Sequence, residues 1–450
     1  MPNSRPKISI SQETRWQQYR LDLTRDELNF LCSALYRSVL LDGATIDQAQ
    51  STLIFTALPE FSVDIDKQPI NVSQQAIPDN YSSIPFTCGI LGFISYDFAE
   101  SALSGRTSKR PKSNLPTSTA GYYAWSYTRS HNENFGRLTL SPLASEQTKQ
   151  TLQNALNELS KVTKPPAKQG KVVSRHQWTH SSDRLSYEKA FYKIQDYIKA
   201  GDVYQVNLTQ RYEASLRHPP SDLYFELMQS IDAPYSAYMA INEDQSVLSF
   251  SPEQFIEITE RTIVTRPIKG TAQYLDDMSV QSLKNSQKDR AENLMIVDLM
   301  RNDLSKVCAT GTVKTPKLFV VERHKDLLHL VSTITGKLRD DISEFDAFLS
   351  CFPGGSITGA PKIRAMQIIE ELEAHRRSAY CGSIFYWNDN GHFDSNIMIR
   401  TIVADGNKLY CWGGGGIVAD SKLESEYQES LIKVQHLTGP IMPASKQSKE

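Results

Sequence analysis

The chemistry of this chain is most legible where carboxylates and amines stand among apolar residues. In a helix over residues 280–306, successive side chains turn by about 100°, and Met295, Ile296 and Leu299 fall within about 60° of Glu292. A carboxylate projecting from an apolar stripe is costly unless it meets a cation, a proton or a metal. A second helix, predicted over 423–437, repeats the pattern. There Glu426, Glu429 and Lys433 lie within about 60° of one another and flank a stripe of Leu423, Tyr427 and Val434. That arrangement reads as one wall of a site; the same spacing also fits a solvated helix edge with a Glu429–Lys433 pair. Together, Glu292 and Glu429 suit a hard, oxygen-preferring cation such as Mg²⁺ that keeps positions open for a substrate.

Two glycine clusters come next. The run PGGSITGAPK at 353–362 leads into a predicted helix, so its backbone N–H groups could face an anion. It is not a Walker A loop, because Ala-Pro-Lys follows Gly359 where Lys-Ser/Thr would be needed. The run Trp412 to Ile417, with four central glycines, ends a predicted strand and permits close approach of a ligand. With Arg400 on a nearby strand, the pair suggests recognition of carboxylates. Lys269 stands between Pro267-Ile268 and Gly270. A neighbouring cation and partial burial would free its amine as a nucleophile; the alternative is a solvated loop lysine.

These side chains need a body to position them. A helix is predicted from about Ser186, where Tyr187, Phe191, Ile194 and Ile198 share a face and Gly201 stands where a C′ glycine would end it. Strands follow at 203–211, 236–241, 247–250, 255–258, 396–403 and 408–412, with further helices at 143–159 and 362–373. Residues 161–171, with two prolines, a glycine and four lysines, have linker composition, and from Pro440 the apolar pattern is lost. The expected organisation is a scaffold region at 1–160, a linker at 161–185, a catalytic region at 186–440 and a tail at 441–450. Of 450 residues 40% are hydrophobic, enough for a sizeable core, and 49 basic against 51 acidic residues leave no electrostatic footprint for nucleic acid or an anionic membrane. Six cysteines without paired spacing exclude a disulfide scaffold and a zinc finger. No apolar leader follows Met1 and no run of 18 apolar residues exists, so a cytoplasmic enzyme is expected.

Over about 201–433 the chain resembles the chorismate-utilising enzymes, the family of anthranilate and isochorismate synthases, and within it the aminodeoxychorismate synthase branch. The motifs are GDVYQVN from Gly201, SPE from Ser251, PIKGT from Pro267 and DRAENLM from Asp289. They continue with LHLVS from Leu328, the 353–362 run, CGS from Cys381, residues 413–420 and EYQE from Glu426. The resemblance implies an α/β (α+β) fold, one large body of two mostly antiparallel sheets in the core with helices outside. It implies Mg²⁺ on Glu292 and Glu429 with Glu426 nearby, and substrate held by Thr271, Tyr380, Arg400, Lys433 and the backbone of Gly414, Gly415 and Gly416. His329 would contact the reacting ring.

The same resemblance separates activities within the family. Isochorismate synthases carry a water-activating lysine where this chain has Gln205, and anthranilate synthases carry alanine where it has Lys269. The implied route is addition of Lys269 at C2 of chorismate with loss of the C4 hydroxyl, Glu253 serving as acid/base. Ammonia then attacks C4 and releases Lys269, giving 4-amino-4-deoxychorismate. No cysteine stands in a glutaminase elbow, so ammonia would come from a separate glutamine amidotransferase subunit. Gly43 replaces a serine of the family's tryptophan pocket, which puts any bound tryptophan in doubt. Competing readings are an anthranilate synthase component I, an aldolase-like Schiff-base lyase using Lys269, and a scaffold without catalysis.

Overall fold

The computed structural model describes residues 8–43, 52–66, 70, 76–103, 110–159, 177–324, 327–439 and 441–442. Two large sheets form the core. In the first, of 13 strands, Gln17–Leu21, Gly136–Leu140, Trp125–Ser130, Thr52–Thr56 and Val39–Asp42 lie side by side. Val39–Asp42 then pairs with Tyr235–Ala240, and the sheet runs on through Gln245–Ser251, Thr401–Asp405 and Lys408–Ile417 to Gln205–Ser215. The second sheet, of ten strands, joins Gly89–Ile94 to Ser383–Asn388 and ends on Ile268–Gln273 and Leu327–Lys337. Both sheets draw strands from both halves of the chain, and one apolar cluster runs from Ile10 to Leu437. The α/β body of mostly antiparallel sheets with helices outside is the expected fold.

Several elements form where their spacing predicts. The helix Arg184–Lys199 is capped by the Asp183 carboxylate, which accepts from Ser186 N–H at 2.8 Å. It buries Tyr187, Phe191 and Ile194, and Gly201 follows it at φ 79°. Leu423–Thr438 and Lys362–Leu372 match their expected spans within a residue.

Other elements differ. The predicted helix at 280–306 is two helices, Asp277–Asn285 and Gln287–Val307, because Ser286 is extended and its hydroxyl caps the second by accepting from Asp289 N–H. The predicted strand at 396–403 is also two. Phe393–Asn396 belongs to the second sheet and Thr401–Asp405 to the first, and the chain crosses between layers through Arg400 at φ 50°. Alternation marks a strand without naming its sheet, so the crossing left no trace in the apolar pattern. The glycine run does not end its strand: Lys408–Ile417 continues through it, with Gly414 opposite Thr209 and Gly416 opposite Asn207. At two of the four glycines a side chain could not be accommodated, since a Cβ at Gly413 would lie 2.4 Å from the Ser430 carbonyl oxygen and one at Gly414 2.3 Å from that of Leu208. The linker stretch 161–171 lies outside the described residues. Beyond Pro440, Ile441–Met442 pairs in parallel with Trp178–His180.

Candidate active site

Lys269 lies on the strand Ile268–Gln273, where the pairing with Leu327–Lys337 shifts register between Ile268 and Thr271. The bulge turns on Gly270, at φ 89°, where a Cβ would press within 2.9 Å of Asp289. The Lys269 ammonium nitrogen donates to the Ser356 carbonyl at 3.1 Å. Burial, then the charge of Lys433, push its pKa below the ordinary lysine value, against the pull of Glu253, Glu292 and Glu429. Glu253 is 4% exposed, and among the described residues its Oε1 makes no hydrogen bond. Burial raises its pKa, partly offset by the Lys269 charge.

Three further carboxylates share the space. Glu292, on Gln287–Val307, has Lys288 3.9 Å away; burial raises its pKa, and Asp289 and Glu426 add to that rise. Glu426, almost fully buried, accepts from the Ser421 hydroxyl at 2.7 Å; burial and the Glu429 charge raise it. Burial acts upward on Glu429 too, but Lys433, 2.6 Å away, outweighs it and holds the carboxylate below its usual range. Lys433 also donates to the Gly414 carbonyl at 3.0 Å, so the predicted Glu429–Lys433 pair exists and is part of the site wall. Gly415 opens the floor: a Cβ there would sit 3.3 Å from Glu426 Oε2 and 3.5 Å from Glu429 Oε1. Among the described residues no group of three His, Cys, Asp or Glu is gathered closely enough to hold a metal ion. Glu292, Glu426 and Glu429 therefore form one acidic wall of hard oxygen donors that repel one another, and not a closed coordination shell. That donor chemistry fits a divalent cation with open positions.

Arginine, aromatic and imidazole side chains line the same cavity. Arg400, at the crossing between the sheets, is partly buried, and burial alone lowers its pKa. No carboxylate pairs with its guanidinium among the described residues. Tyr380 is buried and stacked on Trp412, with ring centroids 6.1 Å apart and planes 9° from parallel. His329 is buried, its Nδ1 hydrogen-bonded to the Thr271 hydroxyl at 3.0 Å. Lys269, Glu253, His329, Thr271, Tyr380, Arg400, Gly414, Gly415, Gly416, Lys433, Glu292, Glu429 and Glu426 all line one cavity of about 490 Å³.

Asn207, Lys288, Ser356 and Trp412 line the same cavity and were not singled out by type or spacing. Asn207 stood within the quoted GDVYQVN motif, and Ser356 within the 353–362 run. Ser356 and Ile357 bring that run to the cavity. Its Ser356 carbonyl faces Lys269, and Lys362 is committed to Asp303 at 2.5 Å and to the Cys351 carbonyl. Beside Gly43, the cavity between Leu41, Tyr235 and Asn396 is only about 30 Å³, and a Cβ at Gly43 would lie 2.4 Å from the Pro234 carbonyl oxygen.

A sequence profile described as chorismate binding enzyme matches residues 39–439. The chain is 40% identical over 406 residues to aminodeoxychorismate synthase component 1 of Salmonella typhimurium, covering 88% of this chain and 86% of that one. It is 41% identical to the protein of that name from Escherichia coli, covering 82% of each. Among solved structures, anthranilate synthase component I from Streptococcus pneumoniae superposes with a TM-score of 0.74 at 26% identity, over 97% of this chain and 95% of that one. A profile match over most of the length, with relatives at this identity, settles the kinship: the chain belongs to the family of chorismate binding enzymes.

Proposed function

We propose that this chain is a synthase that aminates chorismate at C4, giving 4-amino-4-deoxychorismate. One observation carries the reading beyond the family: an amine with a lowered pKa, Lys269, stands in the same cavity as a buried carboxyl with a raised one, Glu253. The names of the relatives at 40–41% identity agree with it.

In this reading Arg400 and Lys433, with the backbone of Gly414, Gly415 and Gly416, hold the carboxylates of the substrate. Tyr380, braced by Trp412, and the Thr271–His329 pair fix the ring. Glu292 and Glu429, with Glu426 beside them, would hold Mg²⁺, which supplies positive charge to a substrate carboxylate. The unprotonated Lys269 amine forms a bond to C2, both ring double bonds shift by one position (C1=C2 to C1=C6, C5=C6 to C4=C5), and the C–O bond at C4 breaks. Glu253, whose pKa burial raises, gives its proton to the departing hydroxyl, which leaves as water. Ammonia then bonds to C4, both double bonds shift back, and the C2–N bond to Lys269 breaks. The proton lost by the incoming ammonia restores Glu253. The enolpyruvyl group stays on the ring throughout. General acid transfer of this kind contributes about 10²–10⁴-fold.

Ammonia is supplied by a separate glutamine amidotransferase subunit, in keeping with the "component 1" of the relatives' names. The six described cysteines are all buried, and burial raises the thiol pKa of Cys32, Cys88, Cys308, Cys351, Cys381 and Cys411, which ill suits any of them to glutaminase chemistry. No described helix is long and apolar enough to cross a membrane; we place the reaction in the cytoplasm. The cavity beside Gly43 has room for about a water molecule, which argues against a tryptophan there. Incubation with chorismate, Mg²⁺ and an ammonium salt, read by mass spectrometry, tests the reading. Aminodeoxychorismate supports it; anthranilate with pyruvate, or unchanged chorismate, overturns it.

A further inference from the structure

The hydrogen bond that holds the Lys269 amine ends on a main-chain carbonyl, that of Ser356, and that carbonyl is itself held. Asn207 Nδ2 donates to it at 2.8 Å. Two donors occupy its two lone pairs. A neutral acceptor shared in this way orients an amine without offering the countercharge that a carboxylate would give its protonated form. Position therefore depends on two segments, the turn Gly355–Ile357 and the strand Gln205–Ser215.

One side chain outside the cavity fastens both. Arg377 is fully buried, its guanidinium lying 4.7 Å from the centre of the Tyr96 ring. Its Nη1 donates to the Ile357 carbonyl at 2.7 Å, one residue past Ser356, and its Nη2 donates to the Asn207 carbonyl at 2.9 Å. Glu373 neutralises it through bonds of 3.0 and 2.8 Å. The same Glu373 carboxylate accepts from the backbone N–H and hydroxyl of Thr209, two residues along the strand from Asn207, at 2.9 and 2.8 Å. A buried ion pair is weak evidence for stability, because desolvation offsets most of its Coulomb gain. Apart from a 3.6 Å contact of Arg377 Nη1 with Cys381 Sγ and the Arg110 guanidinium 3.9 Å from Glu373, the pair's remaining bonds go to the two segments that present Ser356.

We propose that Arg377 and Glu373 are positioning residues for the amination, a clamp that sets the Ser356 carbonyl and through it the attack geometry of Lys269. The clamp rests on the functional reading above for its chemistry, but not for its geometry. A displacement of about 1 Å at a reacting atom can cost about 10²-fold in rate.

The test uses the full chain with Arg377→Lys, Glu373→Gln and Asn207→Ala, each checked for folding by its thermal transition. Assayed with chorismate, Mg²⁺ and ammonium, the clamp predicts kcat lower by about 10²-fold with the chorismate KM within about threefold of wild type. A folded Arg377→Lys with wild-type kcat overturns it, as does a rise in KM that accounts for the whole loss. Should Arg377→Lys not fold, the same split in Asn207→Ala decides. A second readout is independent of turnover: acylation of Lys269 by a succinimidyl ester, followed by peptide mass spectrometry. A changed rate at Lys269 in the variants supports the clamp and an unchanged rate overturns it, even if wild type makes no aminodeoxychorismate and the functional reading itself falls.

Discussion

Lys269 is held in a basin of opposing charges, and the balance sets when its amine is free. Burial comes first and the Lys433 ammonium second, both acting downward on a pKa whose ordinary value is 10.5. On the proposed route the amine is the reactive form, so turnover falls as pH drops through that lowered pKa. Replacing Lys433 by Met removes a positive charge, raises the Lys269 pKa and moves the acid limb of the kcat profile to higher pH. A limb that stays in place would count against the coupling. Lys269→Ala leaves chorismate bound but removes the bond-forming atom, and kcat for C4 amination falls by about 10³-fold or more. Arg400→Ala, read through the chorismate KM, costs about 10–100-fold, as expected for a charge-assisted bond to a carboxylate. Arg400→Lys recovers little of it, since a point charge cannot replace the planar fork.

At the scale of elements, the site hangs on a glycine strand pressed against the helix Leu423–Thr438. The four glycines do different things. Gly414→Ala would force a Cβ to 2.3 Å from a main-chain oxygen and lowers stability by about 1–3 kcal/mol, visible as a lower melting temperature. Gly415→Ala meets only side-chain ends, at 3.3–3.6 Å, so the fold survives while the Mg²⁺ titration of activity shifts to higher concentration. The two acidic helix faces were legible because burial and charge conflict on a helical wheel, as at Glu292 and Glu426. The clustering of Lys269 with them came from the resemblance alone, because a loop-like motif at 266–271 carries no periodicity to aim it. Arg377 was invisible for a related reason: an arginine in the run His375-Arg376-Arg377 reads as surface until its buried partners, chiefly main-chain oxygens and Glu373, are seen.

Across the whole molecule, each sheet joins a block of strands from residues 8–159 to a block from residues 177–442, through Val39–Asp42 on Tyr235–Ala240 in one and Gly89–Ile94 on Ser383–Asn388 in the other, so neither part completes a sheet alone. Expressed separately, residues 8–159 and 177–442 will lack cooperative thermal unfolding, and coexpression will restore one transition; two independent transitions would contradict the shared core. Length and composition allowed three domains as readily as one body, because sheet membership is decided by pairings hundreds of residues apart. The crossing at Arg400 binds these scales together. If Arg400 holds a substrate carboxylate as proposed, a guanidinium seated where the chain leaves one layer for the other makes substrate capture a fastening of the two layers. Occupancy will therefore register far from the cavity, as a protein that melts later: saturation at 100 times Kd adds about 2.7 kcal/mol, and with Arg400→Ala most of that delay disappears.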